Sequence, residues 1–200
     1  MSRILQTLVA PLYPASGPVR VMLFGEAPGP RGADQSGVPF WGDRAGVLVY
    51  RALEAAGLAQ VPPEAYGEWD GAGLRARGLL PALHGAALSN AFPLCPSRDL
   101  RSFRAPTDAE LRSPANLERL RRELGAAAER CPGTLRVITL GKRAQWIFRN
   151  LEDAPDCELH GLPHPSAQGL LQAAPGKGKG LKMSDLQLEW AARLASLLTF

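Results

Sequence analysis

The sequence predicts an α/β fold in three layers, α/β/α, with a central, mostly parallel four-stranded sheet. Short apolar runs that end at glycine or a polar residue alternate along the chain with segments of helical spacing, and this alternation is typical of parallel sheets covered on both faces. The chain has 200 residues, 46% of them hydrophobic, which is enough to form one hydrophobic core. We therefore expect a single domain over residues 1–200.

Four segments are predicted to be strands, three of them because they are short, apolar and bounded by turn residues. The first, VRVMLFG at residues 19–25, ends in glycine, and the second, GAALSNAFPL at residues 85–94, runs on into a loop. The third is TLRVITLG at residues 134–141, and residues 157–162 are the fourth candidate. Strands buried on both faces read as such continuous apolar runs.

Four segments are predicted to be helices. Residues 113–130 are the clearest, because Ser113 suits the N-cap, Pro114 suits the first helical position, and leucines recur on one face. Residues 45–57, 142–151 and 184–198 show similar spacing. Polar segments rich in glycine and proline follow the first, second and fourth strands. In such sheets the ligand site lies beyond the carboxyl ends of the strands, so these segments should converge there.

The positive charge is concentrated in the middle of the chain. The net charge is +4, and residues 96–151 carry twelve Lys and Arg against six Asp and Glu. A local arginine-rich excess is the expected footprint of a nucleic-acid binder. A solvated helix face is an equally good explanation from charge alone, because several arginines stand near Glu at helical spacing.

The loop after the first strand, residues 25–46 (GEAPGPRGADQSGVPFWGDRAG), combines carboxylates with aromatic residues. Glu26, Asp34 and Asp43 could activate a water beside a planar ligand that stacks on Phe40. The loop matches neither the dinucleotide nor the P-loop phosphate pattern. The alternative is a loop that only covers the sheet.

The segment after the second strand, SNAFPLCPSRDLRSFR, offers an amide and several cations. Asn90 at the strand end could present a donor and an acceptor to a base edge, or simply cap the next turn. Arg98, Arg101 and Arg104, interleaved with Phe103, suit contacts to a nucleic-acid backbone and stacking.

The segment after the fourth strand, LHGLPHPSAQGLL, holds His164 between two prolines. A fixed neutral histidine can donate to a developing anion, or it can close the turn structurally. A zinc site of Cys157, His160 and His164 is disfavoured, because the prolines break any helix that would present both histidines together and no fourth ligand is evident. Lys177, Lys179 and Lys182 follow in a flexible loop placed to contact phosphates.

These three segments, in this order, resemble the motifs of the uracil-DNA glycosylase superfamily. GEAPG followed by GVPFWG is similar to the first motif, SNAFP to the intervening asparagine motif and HPS to the second motif. The gap between GEAPG and GVPF is similar to that of family 5 and of the single-strand-selective enzymes, and one residue longer than in family 4. The resemblance covers about a quarter of the chain, and the ordered set is specific where each piece is weak.

The resemblance implies roles for particular residues. Phe40 would stack on a flipped base, Asn90 would read its Watson–Crick edge, and His164 would donate to the uracil oxygen that gains charge. Ala27 stands where many members carry a water-positioning polar residue, so the role would pass along the loop to Asp34, with Glu26 and Asp43 as further candidates. Ser166 would line the base site, Gln168 would contact DNA, and Gln168 or Leu170 would fill the vacated stack.

The chain departs from families 4 and 5 in its cysteines. Those families bind an iron–sulfur cluster through four cysteines, two of them in an N-terminal CxxC. Cys95 is the only one of the three cysteines here that stands near such a position. We therefore expect no cluster, no metal and no other cofactor.

The resulting expectation is a monomeric, monofunctional DNA glycosylase that hydrolyses the N-glycosidic bond of uracil, or of another deaminated base, after base flipping. The N-terminus has no clear signal peptide and no apolar run reaches a membrane span, so we expect no membrane partner and a cytoplasmic, nucleoid-associated bacterial protein. Two alternatives stay open: a catalytically silent member that binds uracil-containing or single-stranded DNA, and a small-molecule hydrolase.

Overall fold

The computed structural model describes residues 3–67 and 70–200, and at its centre is a parallel sheet of four strands. The strand order is β4-β1-β5-β6, so β1 and β5 are the central pair. A small antiparallel sheet pairs β2 with β3. The strands are β1 Val21–Gly25, β2 Ala59–Gln60, β3 Ala82–Leu83, β4 Ala86–Asn90, β5 Leu135–Leu140 and β6 Cys157–Leu162.

Helices cover both faces of the sheet, which confirms the predicted three-layer α/β/α architecture. On one face, α2 and α8 pack on the sheet through side chains such as Leu53, Trp190 and Leu194. On the other, α5 and α6 pack through Leu120 and Phe148, among others. The helices are α1 Ala33–Ser36, α2 Arg44–Ala55, α3 Gly71–Ala76, α4 Asp108–Leu111, α5 Pro114–Ala128, α6 Lys142–Arg149, α7 Ala167–Ala173 and α8 Met183–Leu197.

The register of the sheet aligns the ends of its strands. Gly25, the last residue of β1, pairs with Asn90, the last residue of β4, and Leu140 at the end of β5 pairs with Leu162 at the end of β6. All four strands run in the same direction. The loops that follow them therefore leave the sheet at one edge, as a parallel arrangement requires.

The differences from the predicted elements are local. Four short helices, α1, α3, α4 and α7, lie in segments for which the sequence pattern predicts no helix, because they have too few residues to show a helical period. Ser113 is the N-cap of α5, but its hydroxyl donates to the carbonyl of Glu110 instead of accepting from α5. Within the described ranges, no helix combines the length and the apolar character that a membrane crossing needs.

Candidate active site

A cavity of about 810 Å³ opens at the carboxyl edge of the sheet. Residues at or just beyond the end of each of the four central strands line it: Gly25 at the end of β1, Asn90 at the end of β4, Gly141 after β5 and Pro163 after β6. A concave site at this edge is where an open α/β sheet places its ligand.

Phe40 and Asn90 meet at one wall of the cavity, above the end of β1. A Cβ atom built on Gly25 would lie 2.7 Å from Oδ1 of Asn90 and 2.9 Å from Cε1 of Phe40, so glycine leaves the room that these two side chains fill. Phe40 is buried and its backbone has a positive φ of 62°, a conformation that costs a non-glycine residue about 1–3 kcal/mol. The fold therefore holds a strained phenylalanine beside a buried amide.

The side-chain nitrogen of Asn90 is buried and has no hydrogen-bond partner in the structure. Leaving such a donor unsatisfied costs about 1–3 kcal/mol, so natural folds keep few of them. Because Asn90 also lines the cavity, its free Nδ2 is positioned to donate to a ligand that enters there.

A buried polar network behind Asn90 fixes its backbone. The guanidinium of Arg119 on α5 donates to the carbonyls of Asn90 at 2.9 Å and Ala91 at 3.0 Å. Arg119 also pairs with Glu123 at 2.6 Å, and Glu123 accepts the hydroxyl of Ser89 at 2.6 Å. Arg119 therefore reaches from the outer helix layer to the strand end. In the sequence it is only one of the arginines that make up the basic excess.

His164 lies on the turn between β6 and α7 and lines the cavity. Its Nδ1 accepts the backbone N–H of Ser166 at 3.2 Å, so the proton of the neutral ring sits on Nε2. Burial lowers the pKa of His164, and this effect is partly opposed by the carboxylate of Glu26. Gly169 allows α7 to pack on this turn, since a Cβ there would lie 2.9 Å from Cβ of His164. The site thus holds a neutral imidazole that can donate through Nε2.

Glu26 also lines the cavity, and its carboxylate binds the start of α6. Oε1 accepts the backbone N–H of Arg143 at 2.9 Å, where an anion is favoured by the helix dipole. Gly141 makes room for this contact, because a Cβ at that position would clash with the carboxylate.

The structure differs from the expectation that Asp34 faces the ligand. Its side chain is fully buried outside the cavity lining. The carboxylate accepts the backbone N–H groups of Leu5 at 2.7 Å and Thr7 at 3.2 Å, and Nε2 of Gln35 at 3.1 Å. Asp34 therefore fastens the N-terminal segment to the loop.

Asp43 is the second carboxylate of this loop, after Glu26, that lines the cavity. The loop backbone wraps around it, and Oδ2 accepts the N–H of Ala33 at 3.3 Å. Burial raises its pKa to about 6, against the lowering effect of backbone N–H donors from Ala33 and Gly32. A carboxylate with a pKa near the working pH is suited to act as a general base.

The other predicted residues divide between the cavity and the outer surface. Ala27, Ser166, Gln168 and Arg104 line the cavity, whereas Leu170 is buried in the core and cannot reach DNA. Five predicted DNA-binding cations are exposed but lie outside the lining: Arg98, Arg101, Lys177, Lys179 and Lys182.

Three cavity-lining cations were missed by sequence reasoning. Arg31 belongs to the first loop, Arg44 begins α2, and Lys142 begins α6 directly after Gly141. The sequence does carry a signal for Lys142, because β5 ends at the same edge of the sheet. The connection from β5 to α6 is Gly141 alone, which is too short to be recognised as a polar loop. Together with Arg104, which is paired with Glu110, these residues bring four cations to the cavity lining.

The cysteines are free thiols, and Cys95 is buried. Burial, together with the charges of Asp34 and Asp43, raises the pKa of Cys95 to about 12, so it is protonated at neutral pH. Over residues 3–67 and 70–200, no three His, Cys, Asp or Glu side chains are grouped as the ligands of a metal ion would be.

Comparison with known proteins agrees with this arrangement. The family model of the uracil DNA glycosylase superfamily matches residues 13–183. Over 110 residues, the chain is 34% identical to the Type-5 uracil-DNA glycosylase of Thermus thermophilus, and the match covers 55% of this chain and 42% of that protein. The chain thus spans about two fifths of the length of that relative. Because this family model matches most of its length, the chain belongs to the uracil DNA glycosylase superfamily.

Proposed function

We propose that this protein is a DNA glycosylase that hydrolyses the N-glycosidic bond of uracil in DNA. The observation that carries the proposal is the unpaired, buried Nδ2 of Asn90 beside the ring of Phe40. A planar base that stacks on Phe40 would present its polar edge to this amide. Membership of the superfamily and the similarity to a Type-5 uracil-DNA glycosylase support uracil as the base.

The target base would leave the helix before reaction, because an enzyme cannot reach its target atoms inside the base stack and the proposed contacts line a cavity. Flipping costs a few kcal/mol. Phosphate contacts from the cavity-lining cations Arg31 and Lys142 would offset that cost. The exposed Arg98 and Arg101 and the lysines of residues 177–182 would extend the DNA contact outward.

In the chemical step, the bond from C1′ of the sugar to N1 of uracil breaks, and its electron pair stays on the base. Nε2–H of His164 would donate to the uracil oxygen that gains this charge, as a fixed donor does in an oxyanion hole. A neutral histidine suits this role, and the lowered pKa of His164 keeps it neutral.

Asp43 would activate the water that attacks C1′. Its support is threefold: it lines the cavity, backbone donors hold it in place, and its pKa of about 6 leaves it ionised at neutral pH. The water forms the new C1′–O bond while its proton passes to the carboxylate. Glu26 is the weaker candidate because one of its oxygens is committed to the start of α6.

Because water is the nucleophile, we propose a monofunctional enzyme with no covalent intermediate. Lys142 lines the cavity and is the residue to exclude as a Schiff-base nucleophile. Borohydride added during turnover reduces a Schiff base to a stable protein–DNA adduct. We expect no adduct; an adduct that disappears in Lys142→Ala would contradict this part of the proposal.

The pH dependence of excision tests the assignment of Asp43. Only the carboxylate form accepts a proton, so kcat/KM should rise with pH and level off above about 6, falling tenfold for each unit below it. Asp43→Asn should abolish this limb together with most of the activity.

Asp34→Asn is the matched control for Asp43→Asn. It should lower the free energy of unfolding by about 1.5–3 kcal/mol through its weakened hydrogen bonds, yet leave excision by the folded protein within a few-fold of the parent. The opposite pattern, with Asp34→Asn folded but inactive and Asp43→Asn active, would overturn the assignment.

A further inference from the structure

Phe103 is a large apolar side chain that lines the mouth of the cavity and is half exposed to solvent. Its position contrasts with that of Phe40, which is 7% exposed and belongs to the core. Two phenylalanines therefore meet the same cavity, one within it and one at its mouth. The first is placed to stack on a base inside, but the second has no protein surface to cover its outer half.

The loop that carries Phe103 is held rigidly. The carboxylate of Asp99 accepts the backbone N–H groups of Arg101 at 2.9 Å and Ser102 at 2.7 Å. Ser97 forms a β-bridge with Phe103. These contacts fix the backbone immediately before the phenylalanine, so its side chain is presented to solvent by an ordered turn.

The residue that follows Phe103 is anchored equally firmly. Arg104 makes a two-pronged pair with Glu110, at 2.7 Å and 2.5 Å, and its backbone N–H donates to the carbonyl of Pro96 at 3.1 Å. A side chain on a pre-ordered loop loses little conformational entropy when it binds, which favours a binding role for Phe103.

Two exposed cations share the loop with this exposed ring. They are Arg98 and Arg101, whereas Arg104 lines the cavity with its charge paired to Glu110. In proteins that bind nucleic acids, an aromatic side chain stacks on a base while neighbouring cations contact the phosphates. Removal of one nucleotide from a duplex leaves a gap between its neighbouring bases, and a planar ring can occupy such a gap.

We infer that Phe103 inserts into the base stack at the position vacated by the flipped nucleotide. This inference rests on the proposed function. It gives the two aromatic residues different roles, because Phe40 stacks on the extruded base whereas Phe103 replaces that base in the duplex. Because a single strand has little stacking to restore, Phe103 acts mainly on double-stranded substrates.

The test compares single-turnover excision of uracil from a U:A duplex and from the same strand unpaired. Phe103→Ala should lose roughly 5- to 150-fold on the duplex, the range that corresponds to one base–aromatic stack, and less than about threefold on the single strand. Phe103→Trp should restore most of the duplex rate. Leu188→Ala is the matched control, because it also truncates an exposed apolar residue, 70% exposed on α8, and should leave both rates unchanged.

A binding readout separates this inference from the proposed function. In a duplex with 2-aminopurine next to a 2′-fluorinated deoxyuridine, which resists excision, the parent protein should change the fluorescence through flipping, and Phe103→Ala should remove most of that change. Equal losses on duplex and single strand, no loss on either, or a duplex-selective loss in Gln168→Ala instead would overturn the role of Phe103. No excision by the parent protein on any substrate would instead refute the proposed function.

Discussion

Replacing Asn90 by leucine should make the protein more stable and less active at the same time. The buried Nδ2 of Asn90 has no partner, so the folded state bears the cost of an unsatisfied donor, about 1–3 kcal/mol. Leucine has a similar branched shape and no polar atom, so the substitution removes that cost. For a chain of this length, each kcal/mol gained raises the thermal midpoint by roughly 2–4 °C.

The same substitution removes the proposed contact with the base edge. A good bidentate amide–base pair contributes about 1–3 kcal/mol, so excision should fall roughly 5- to 150-fold. Calorimetry gives the midpoint, and single-turnover excision of a uracil-bearing strand gives the rate constant. A stability gain with a loss of activity is typical of a site that is kept unsatisfied for its ligand.

Ser89→Ala is the contrasting variant on the neighbouring position of β4. The hydroxyl of Ser89 is buried and paired with Glu123, so its loss leaves a buried carboxylate short of a donor and should destabilise by about 1–3 kcal/mol. Asn90→Leu and Ser89→Ala should therefore shift the thermal midpoint in opposite directions. A lower midpoint for Asn90→Leu together with unchanged excision would refute the reasoning.

Three further substitutions probe the rest of the site. His164→Ala should cost about 2.7–4 kcal/mol of transition-state stabilisation, seen as a roughly 10²- to 10³-fold loss in kcat if Nε2 acts as proposed. Gly25→Ala places a methyl group 2.7 Å from Oδ1 of Asn90 and should keep the base out of the cavity, so binding of uracil-containing DNA should weaken. Gly125→Ala is the control, because a Cβ at Gly125 has no heavy atom within 4 Å and should leave DNA binding unchanged. Arg119→Met should lower the free energy of unfolding by about 3–5 kcal/mol, because it leaves a buried carboxylate unpaired; a change below about 1 kcal/mol by denaturant unfolding would count against the network.

The sheet could be predicted from the sequence because its central strands are buried on both faces. Burial turns these strands, and the edge strand β4 that ends at Asn90, into continuous apolar runs whose ends mark the cavity edge. His164 follows β6, an edge strand that is mostly not buried, and is found at this edge through its place in the chain order. Phe40 was likewise expected at the base site and lines the cavity. These positions follow from strand ends and loop order, which a sequence displays directly.

The positions of the carboxylates could not be predicted in this way. Asp34 and Asp43 belong to one loop, and their spacing does not show which of the two carboxylates lines the cavity. The position of Asp34 depends on a long-range contact with the N-terminal segment. The backbone N–H groups of Leu5 and Thr7 in that segment donate to the carboxylate of Asp34, which is buried. The role of Arg119 is similar, because only the packing of α5 on β4 brings it to the carbonyl of Asn90.

The most direct test is to incubate the protein with an oligonucleotide that carries one uracil and then to treat the DNA with alkali, which cleaves at abasic sites. The proposed function predicts strand cleavage at the uracil, no cleavage of the matching thymine strand, and strong suppression of cleavage by His164→Ala. Binding of the uracil-containing strand without any cleavage by the parent protein would contradict the claim that this cavity hydrolyses the glycosidic bond.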